Sequence, residues 1–233
     1  MTPASRLGLS ATIFKEILEA ELAKLSSSYE VCGIVDRSGC VYPLGADTKV
    51  LSTIFELVSR PAVYAAAEKL GLEVFEAEKQ NHYPDFTLGS GEGCKQKIAV
   101  DVKTTYRKAN GTFRFTLGSY TSFIRGTGKK NILFPFSDYA EHWVIGFAYD
   151  RVGKKKAQAE HMFDVGSIRD IPIPFDNVEH FLQEKWKVAS KSPGSGNTAN
   201  IGSITGTIDE FRAGGTVFGS EEDFLAYWRS YGS

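Results

Sequence analysis

Residues 83–105 constrain the fold of this chain more than any other stretch, because charged residues interrupt an apolar run there. Residues 97–103 have the β-branched content of a strand. Alternate side chains of a strand point to one face, so Asp101 and Lys103 project together while Val102 turns into the core. Residues 86–88 are expected to form the neighbouring strand of a hairpin, which would return Asp85 to the region of Asp101. The sequence therefore predicts two carboxylates and one ammonium group converging at the end of a small sheet.

These three side chains suit metal-assisted phosphoryl chemistry. Paired carboxylates can hold Mg²⁺, a hard cation that prefers oxygen ligands. The ion would acidify a water and neutralise charge on a phosphoryl group, while a lysine orients the water or stabilises its hydroxide form. The structural alternative is that Asp85 caps a turn and that Asp101 and Lys103 form an ordinary ion pair, since Asp-x-Lys tripeptides are common. The Pro84-Asp85 step and the charges ending an apolar strand favour a functional site, because such charges are costly unless partnered.

Composition limits the class of protein. A chain of 233 residues, 42% hydrophobic and 24% charged, is long enough for one domain with a sizeable core. The net charge is −1, so DNA binding would need local basic patches rather than a basic whole. Cys32, Cys40 and Cys94 lack C-x-x-C spacing, which indicates free thiols in a reducing cytoplasm. No apolar run reaches membrane-spanning length, so we expect a cytoplasmic protein without a membrane partner.

Apolar periodicity predicts several further elements. A helix with Ser10 as its N-cap is expected over residues 10–25, and a hairpin around residues 37–39. A second helix should begin at Asp47 or Thr48, break or kink at Pro61, and stop at Gly71. The remaining predicted elements are strands at residues 72–75, 112–117, 131–136, 143–149 and 186–189, an Asn110-Gly111 hairpin turn joining residues 100–106 to 112–117, and a helix capped by Ser220.

The residues Pro84-Asp85 and Asp101-Val102-Lys103 resemble the PD…(D/E)xK motif of a large nuclease superfamily. Longer segments, in the same order and spanning most of the chain, resemble the EcoRV-type restriction endonucleases within it. These segments are VCGIV from Val31, YPLGADTKVLSTIFELVSRP from Tyr42, QNHYPDFTL from Gln80, DVKTTY from Asp101, FTLGSYTSFIR from Phe115, GSGNTANIGSI from Gly194, and DFLAYWR near the end.

The resemblance implies an α/β fold with a central mixed β-sheet flanked by helices and a smaller dimerisation region. It implies a single domain over residues 1–233, with a catalytic core at about 45–150 and a DNA-recognition loop and C-terminal part at about 180–233. The implied activity is that of a homodimeric type II restriction endonuclease. It would use Mg²⁺ to cut double-stranded DNA at a GATATC-like palindrome, leaving blunt ends. A cognate DNA methyltransferase in the host is expected by analogy.

The resemblance also implies roles for individual residues. Asp85 and Asp101 would bind the metal and Lys103 would complete the catalytic set. Glu56, which by spacing alone is a solvated helix residue, would be an auxiliary carboxylate. By composition residues 194–200 are a flexible loop, but their amides and hydroxyls can also read base edges. The residues expected to contact DNA are Gly194, Ser195, Gly196, Asn197, Thr198 and Asn200 in this loop, Gln80 and Asn81 near the minor groove, and Thr48, Lys49, Thr104, Thr105, Ser122 and Lys130 elsewhere.

Two other interpretations of the sequence stay open. A repair or structure-selective nuclease on the same scaffold would cut without strict sequence dependence. A catalytically inactive DNA-binding module would have no chemical need for Asp85, Asp101 and Lys103 together.

Overall fold

The computed structural model describes residues 11–77, 79, 82–128, 132–152, 161–194 and 199–232, with only the backbone at 26–28. Over these ranges the α-helices are α1 (Ala11–Leu22), α2 (Thr48–Leu70), α3 (Tyr120–Phe123), α4 (Lys185–Val188), α5 (Ile208–Ala213) and α6 (Glu221–Ser230). Short 3-10 helices span Ala23–Tyr29, Phe136–Asp138 and Val165–Asp170. No helix in the described ranges is both long and apolar enough to cross a membrane.

The strands of the described ranges form one central sheet and two smaller sheets. They are β1 (Gly33–Val35), β2 (Cys40–Pro43), β3 (Glu73–Glu76), β4 (Phe86–Gly89), β5 (Lys97–Tyr106), β6 (Thr116–Ser119), β7 (Tyr139–Arg151), β8 (Phe163–Asp164), β9 (Phe175–Glu184), β10 (Ala189–Pro193) and β11 (Asn200–Ser203).

The central sheet has five strands in the order β3-β4-β5-β7-β9. β5 pairs with β7 in parallel, and the other neighbouring pairs are antiparallel. A parallel pair needs a crossover connection, and the segment containing β6 and α3 supplies it. The predicted α/β fold with a central mixed sheet is therefore confirmed.

Both faces of the central sheet are covered. Side chains alternate along β7, so Ile145 and Phe147 point to one face while Val144 and Ala148 point to the other. The first pair belongs to a hydrophobic cluster built with α1 and α2, and the second to a cluster built with α5, α6 and the β6-β11 region. β5 and β7 are consequently the rigid interior of the molecule.

Two smaller sheets accompany the central sheet. One has the order β1-β2-β8 and contains the hairpin predicted around residues 37–39, in which Gly39 adopts a positive φ of 88°. The other has the order β10-β11-β6, with β10 and β11 antiparallel. Residues 194–199 lie between β10 and β11 in the sequence, so the segment predicted to be the recognition loop connects two antiparallel strands.

Helix α2 is one continuous helix, and the predicted break at Pro61 was wrong. Asp47 caps its start by accepting hydrogen bonds from the first-turn N–H groups, and Gly71 ends it at a φ of 66°. Proline deprives only the carbonyl four residues earlier of its partner, and that residue, Leu57, is on the exposed side of the helix. Burial of Phe55 before the proline and of Ala66 after it stabilises a single helix through this position.

The predicted hairpin between residues 100–106 and 112–117 was also wrong. The turn itself forms, with the Gly111 N–H donating to the Lys108 carbonyl over 2.9 Å. β7 occupies one edge of β5 over its whole length and β4 occupies the other at residues 98–100, and the chain after the turn pairs elsewhere. Phe113 bridges Gly206, and β6 pairs with β11.

Two other predicted strands differ in the structure. Residues 186–188 belong to the helical turn α4, and the strand begins only at Ala189. Residues 132–136 form no strand beyond a single bridge between Ile132 and Tyr83, because the chain there turns into the 3-10 helix at Phe136. The strand predicted at 143–149 lies within β7, and the helix capped by Ser220 is confirmed as α6. Ser10 lies outside the described residues.

Candidate active site

The pairing of β4 with β5 brings Asp85 beside Asp101. Asp85 directly precedes β4, where Phe86 pairs with Val100 in the antiparallel register. The Asp85 Oδ2 atom accepts a hydrogen bond from the backbone N–H of Val102 over 2.6 Å. Asp101 is 2% exposed, and the Nζ atom of Lys103 lies within 4 Å of both carboxyl groups. The two carboxyl groups predicted to converge are therefore neighbours.

Lys103 completes this cluster. Its Nζ atom lies 2.7 Å from Asp101 Oδ1 and 3.9 Å from Asp85 Oδ2. Val102, between the two charged residues of the strand, packs in the core as predicted. The cluster lies within β5 and not, as the sequence had predicted, at its end. Pairing with β7 extends the strand to Tyr106, three residues beyond Lys103.

Burial and charge give the two acids different protonation behaviour. The pKa of Asp85 is raised to about 7, mainly by burial; Lys103 opposes this shift and Asp101 adds to it. Burial would also raise the pKa of Asp101, but the ammonium groups of Lys103 and Lys185 outweigh it and hold this pKa below its usual value. Asp101 is consequently ionised at neutral pH, whereas Asp85 exchanges a proton in that range.

Lys185 is a second cation at Asp101 that sequence reasoning did not identify. It begins α4, it is buried, and its Nζ atom lies 3.5 Å from Asp101 Oδ2. It also donates a hydrogen bond to the Tyr83 hydroxyl over 2.8 Å. Burial lowers the pKa of Lys185 to about 8, although the charge of Asp101 opposes this. A single lysine far from the motif in the sequence carries no signal of such a contact.

Tyr83 links this lysine to an aromatic pocket. Its ring packs on Phe123 with 4.0 Å between centroids, and its hydroxyl lies 3.5 Å from His142 Nδ1. The pKa of His142 is lowered to about 3, chiefly by burial and then by the charge of Lys185. This histidine is therefore neutral at physiological pH, and its ring stacks on that of Phe136.

Glu56 lies on α2, which packs against β5. Its pKa is raised, mainly by burial; Lys103 lowers it and Asp101 raises it, so Glu56 lies within electrostatic reach of the cluster. Among the described residues its side chain makes no ion pair with Lys103, and no three His, Cys, Asp or Glu side chains there form a ready metal cluster. Its auxiliary role stays a prediction.

The loop expected to read DNA is described only at its two ends. The Gly194 N–H donates to the Asn200 carbonyl over 2.8 Å and so closes the base of the loop. The Asn200 Oδ1 atom is buried and has no hydrogen-bond partner in the part of the chain that the structure describes. The residues that lie outside that part are Ser195, Gly196, Asn197, Thr198, Gln80, Asn81 and Lys130.

The other expected DNA-binding residues lie on separate elements. Thr48 and Lys49 are exposed in the first turn of α2. Thr104 and Thr105 continue β5 beyond the cluster and are half-buried, and the Thr104 hydroxyl lacks a hydrogen-bond partner within the described chain. Ser122 lies in α3 and is buried. Of these residues, Thr104 and Thr105 are the ones that share a strand, β5, with Asp101 and Lys103.

Comparison with known proteins adds to this geometry. Residues 25–233, which contain Asp85, Asp101 and Lys103, match the family described as restriction endonuclease EcoRV. The chain is similar to the type II restriction enzyme EcoRV of Escherichia coli, with 50% identity over 207 residues, covering 88% of this chain and 84% of that enzyme. Chain-wide similarity of this extent, around a cluster of two acids and a lysine, establishes that the chain belongs to the EcoRV family of type II restriction endonucleases, which cleave DNA at specific sites.

Proposed function

We propose that this enzyme hydrolyses double-stranded DNA at a GATATC-like palindrome with a blunt central cut, as a homodimer that depends on Mg²⁺. The observation that carries the proposal is that the Asp85 and Asp101 carboxyl groups both lie within 4 Å of the Lys103 Nζ atom. The proposed target rests on the likeness of the segment GSGNTANIGSI, from Gly194, to the recognition loop of the family. A host methyltransferase that protects the same sites is proposed by analogy with restriction systems.

The acid cluster fits a hard divalent cation. Its donors are carboxylate oxygens, and Asp101 Oδ2 accepts no hydrogen bond within the described chain although it is buried. Asp85 and Asp101 would hold the ion, with Glu56 as the further carboxylate on the neighbouring helix. Mg²⁺ keeps several waters in such sites, so two protein ligands with water and a phosphate oxygen are a sufficient set.

The chain's own residues determine what happens around the ion. When bound, Mg²⁺ would acidify a water and neutralise charge on the phosphoryl group. Asp85 must lose its proton to become a ligand, which its pKa of about 7 permits at slightly alkaline pH. Lys103, held by Asp101, would donate a hydrogen bond to the attacking oxygen or to the phosphate as charge develops there. Attack in line leaves a 5′-phosphate and a 3′-hydroxyl.

DNA binding is proposed for the residues that the family likeness indicates. The loop from Gly194 to Asn200 would enter the major groove, and the Asn200 amide oxygen, which has no hydrogen-bond partner among the described residues, supports a polar role at its base. Thr104 and Thr105, beside the acid cluster on β5, would contact the phosphates. Contacts of this kind fix the register of the protein on DNA without reading sequence. The remaining proposed contacts are those of Gln80, Asn81, Ser195, Gly196, Asn197, Thr198, Thr48, Lys49, Ser122 and Lys130.

A homodimer is proposed because a two-fold pair of active sites matches a palindrome and cuts both strands. The small sheet β1-β2-β8, the residue before β8 and the 3-10 helix after it support this, since they expose several large apolar side chains. The exposed residues are Ile34, Val35, Tyr42, Met162, Val165 and Ile168. A patch of this kind marks an interaction surface, and a second copy of the chain is the occupant that a palindromic target requires.

Digestion of a plasmid with and without Mg²⁺, followed by sequencing of the fragment ends, tests the proposal. The wild-type protein should cut only with the ion and leave blunt ends at one short palindrome. Asp101→Ala should abolish cutting while the protein stays folded. Asp138→Ala is a matched control, because Asp138 is also buried and paired with a lysine, Lys95, at 2.9 Å.

Each other outcome of this digestion points to a different conclusion. Cutting at many unrelated sequences would indicate a repair or structure-selective nuclease. Binding without cutting under any metal condition would indicate an inactive DNA-binding module. Undiminished cutting by Asp101→Ala would remove Asp101 from the mechanism.

A further inference from the structure

Lys185 is held in an unusual environment for a lysine. Its side chain is 1% exposed, although lysines are almost never fully buried unless they are paired. Its Nζ atom lies over the rings of Tyr83 and Phe123, at 4.1 and 4.5 Å from their centroids. Aromatic faces attract a desolvated cation, so this pocket is built to keep an ammonium group in place.

The two oxygens of Asp101 face two different ammonium groups. Oδ1 is 2.7 Å from Lys103 and Oδ2 is 3.5 Å from Lys185. The terminal torsion of an aspartate is broad, so one partner alone would leave the carboxylate free to turn. A cation at each oxygen fixes the plane of the group and balances its buried charge.

Lys185 also connects both acids. The hydroxyl of Tyr83 accepts its hydrogen bond, and Tyr83 lies two residues before Asp85 in the chain. The backbone carbonyl of Tyr83 in turn accepts a hydrogen bond from the Leu133 N–H over 2.9 Å. One ammonium group thus contacts the second acid and the segment that presents the first.

We propose that Lys185 is a positioning residue of the active site: it orients the Asp101 carboxylate, holds the Tyr83-to-Asp85 segment beside it, and serves as an internal counter-ion that weakens cation binding by the acid pair. The inference rests on the proposed function, in which Asp101 is a metal ligand. Lys185 itself is too deeply buried to touch DNA.

Lys97 offers a matched control for removing a buried lysine. It is 0% exposed, it lies 4.2 Å from the ring centroid of Phe134, and its Nζ donates to the carbonyl oxygens of Glu92 and Cys94. Within the described chain it forms no ion pair. Lys185→Met and Lys97→Met therefore remove the same charge from similar surroundings, but only the first variant removes it from Asp101.

Steady-state cleavage of a duplex carrying the target site gives the first measurement. Lys185→Met should lower kcat about 10- to 100-fold, as loss of a partner that orients a metal ligand does, with KM for DNA within about twofold. Lys97→Met should keep both constants. Thermal unfolding of the two variants reports any shared loss of stability. Equal kcat values for the two variants would overturn the proposal.

Binding of Mn²⁺ to the DNA-free protein, followed by the electron paramagnetic resonance of the free ion, gives a measurement independent of activity. Removing a unit positive charge this close to the acid pair should tighten Mn²⁺ binding by about tenfold or more. Unchanged or weaker binding by Lys185→Met would overturn the counter-ion role. Lys97→Met should bind Mn²⁺ as the wild type does.

Tyr83→Phe keeps the proposal testable if Lys185→Met does not fold. This variant keeps the ammonium charge and the aromatic face but removes the hydroxyl that accepts the hydrogen bond of Lys185. It should lower kcat about three- to tenfold, the equivalent of one net hydrogen bond, and leave Mn²⁺ affinity unchanged. Wild-type kcat in this variant would overturn the positioning role. Asp101→Ala separates the two proposals: if it is inactive while Lys185→Met cleaves normally, only the role of Lys185 fails.

Discussion

Replacing Asp85 by asparagine should stabilise the metal-free protein above pH 7 and have little effect near pH 4.5. The pKa of Asp85 is raised from 3.8 to about 7, mainly by burial. The folded protein therefore holds this proton more tightly than the unfolded chain does. Ionisation of Asp85 begins to cost stability above the unfolded pKa, and the cost is complete once the pH exceeds about 7. Asparagine avoids this cost, because it stays neutral and keeps a carbonyl oxygen for the N–H of Val102.

The magnitude follows from the size of the shift. Moving a pKa by about 3 units corresponds to about 4 kcal/mol, which is the ceiling for the gain at pH 8.5. The Asp85 side chain is 23% exposed, and solvent screening of this kind leads us to expect about half, or about 2 kcal/mol. At pH 4.5 only about a quarter of the gain should be present, since this pH lies less than one unit above the unfolded pKa of 3.8, whereas the full gain needs a pH above about 7.

Urea denaturation in EDTA at pH 4.5 and pH 8.5, followed by tryptophan fluorescence, measures this difference in the free energy of unfolding. Addition of Mg²⁺ at pH 8.5 should stabilise the wild type more than Asp85→Asn, because the ion binds a carboxylate that only the wild type has. A destabilised variant at pH 8.5, or the same gain at both pH values, would show that Asp85 is not held protonated by its surroundings.

Two further changes test other parts of the molecule. The pKa of Glu221 is raised to about 7, mainly by burial and then by Glu184. Glu221→Gln should therefore stabilise the protein by about 1–2 kcal/mol at pH 8.5. This figure already includes the loss of about 0.5 kcal/mol of interaction between the Glu221 charge and the helix dipole. Urea denaturation measures this, and an equal gain in the exposed neighbour Glu222→Gln would contradict it. Ile34 on β1 is 57% exposed, and Ile34→Glu should convert the proposed dimer to a monomer in sedimentation velocity. An unchanged sedimentation coefficient would place the dimer contact elsewhere.

The acid cluster was predictable because its parts are close in the sequence. Asp101 and Lys103 are two residues apart on a strand, so strand geometry alone puts them on one face. Asp85 reaches them through a hairpin of neighbouring strands, whose pairing is confirmed. The mixed sheet and the flanking helices followed from the family resemblance, which the comparisons confirm.

What could not be predicted depends on contacts between distant segments. Local turn chemistry at Asn110-Gly111 correctly indicates a turn, but the residues after it pair with β11 and Gly206, which lie far along the chain. Lys185 looks like any solvated lysine in the sequence, and only the folding of α4 against the Asp85 segment gives it two partners. The continuity of α2 through Pro61 depends likewise on burial that the local rule for proline does not include.

The position of the cluster separates chemistry from recognition. Asp101 and Lys103 lie on β5, the third of five strands, where pairing with β7 and the hydrogen bond from the Val102 N–H to Asp85 hold the backbone in place. The segment 194–199, in contrast, joins two strands of a smaller sheet, and such loops tolerate substitution far better than a central strand does. Under the proposed recognition role, changes in that loop would alter the DNA sequence that is cut while the acids and lysine keep their geometry. A single base contact is worth about 1–3 kcal/mol, so a few loop substitutions are enough to change the target.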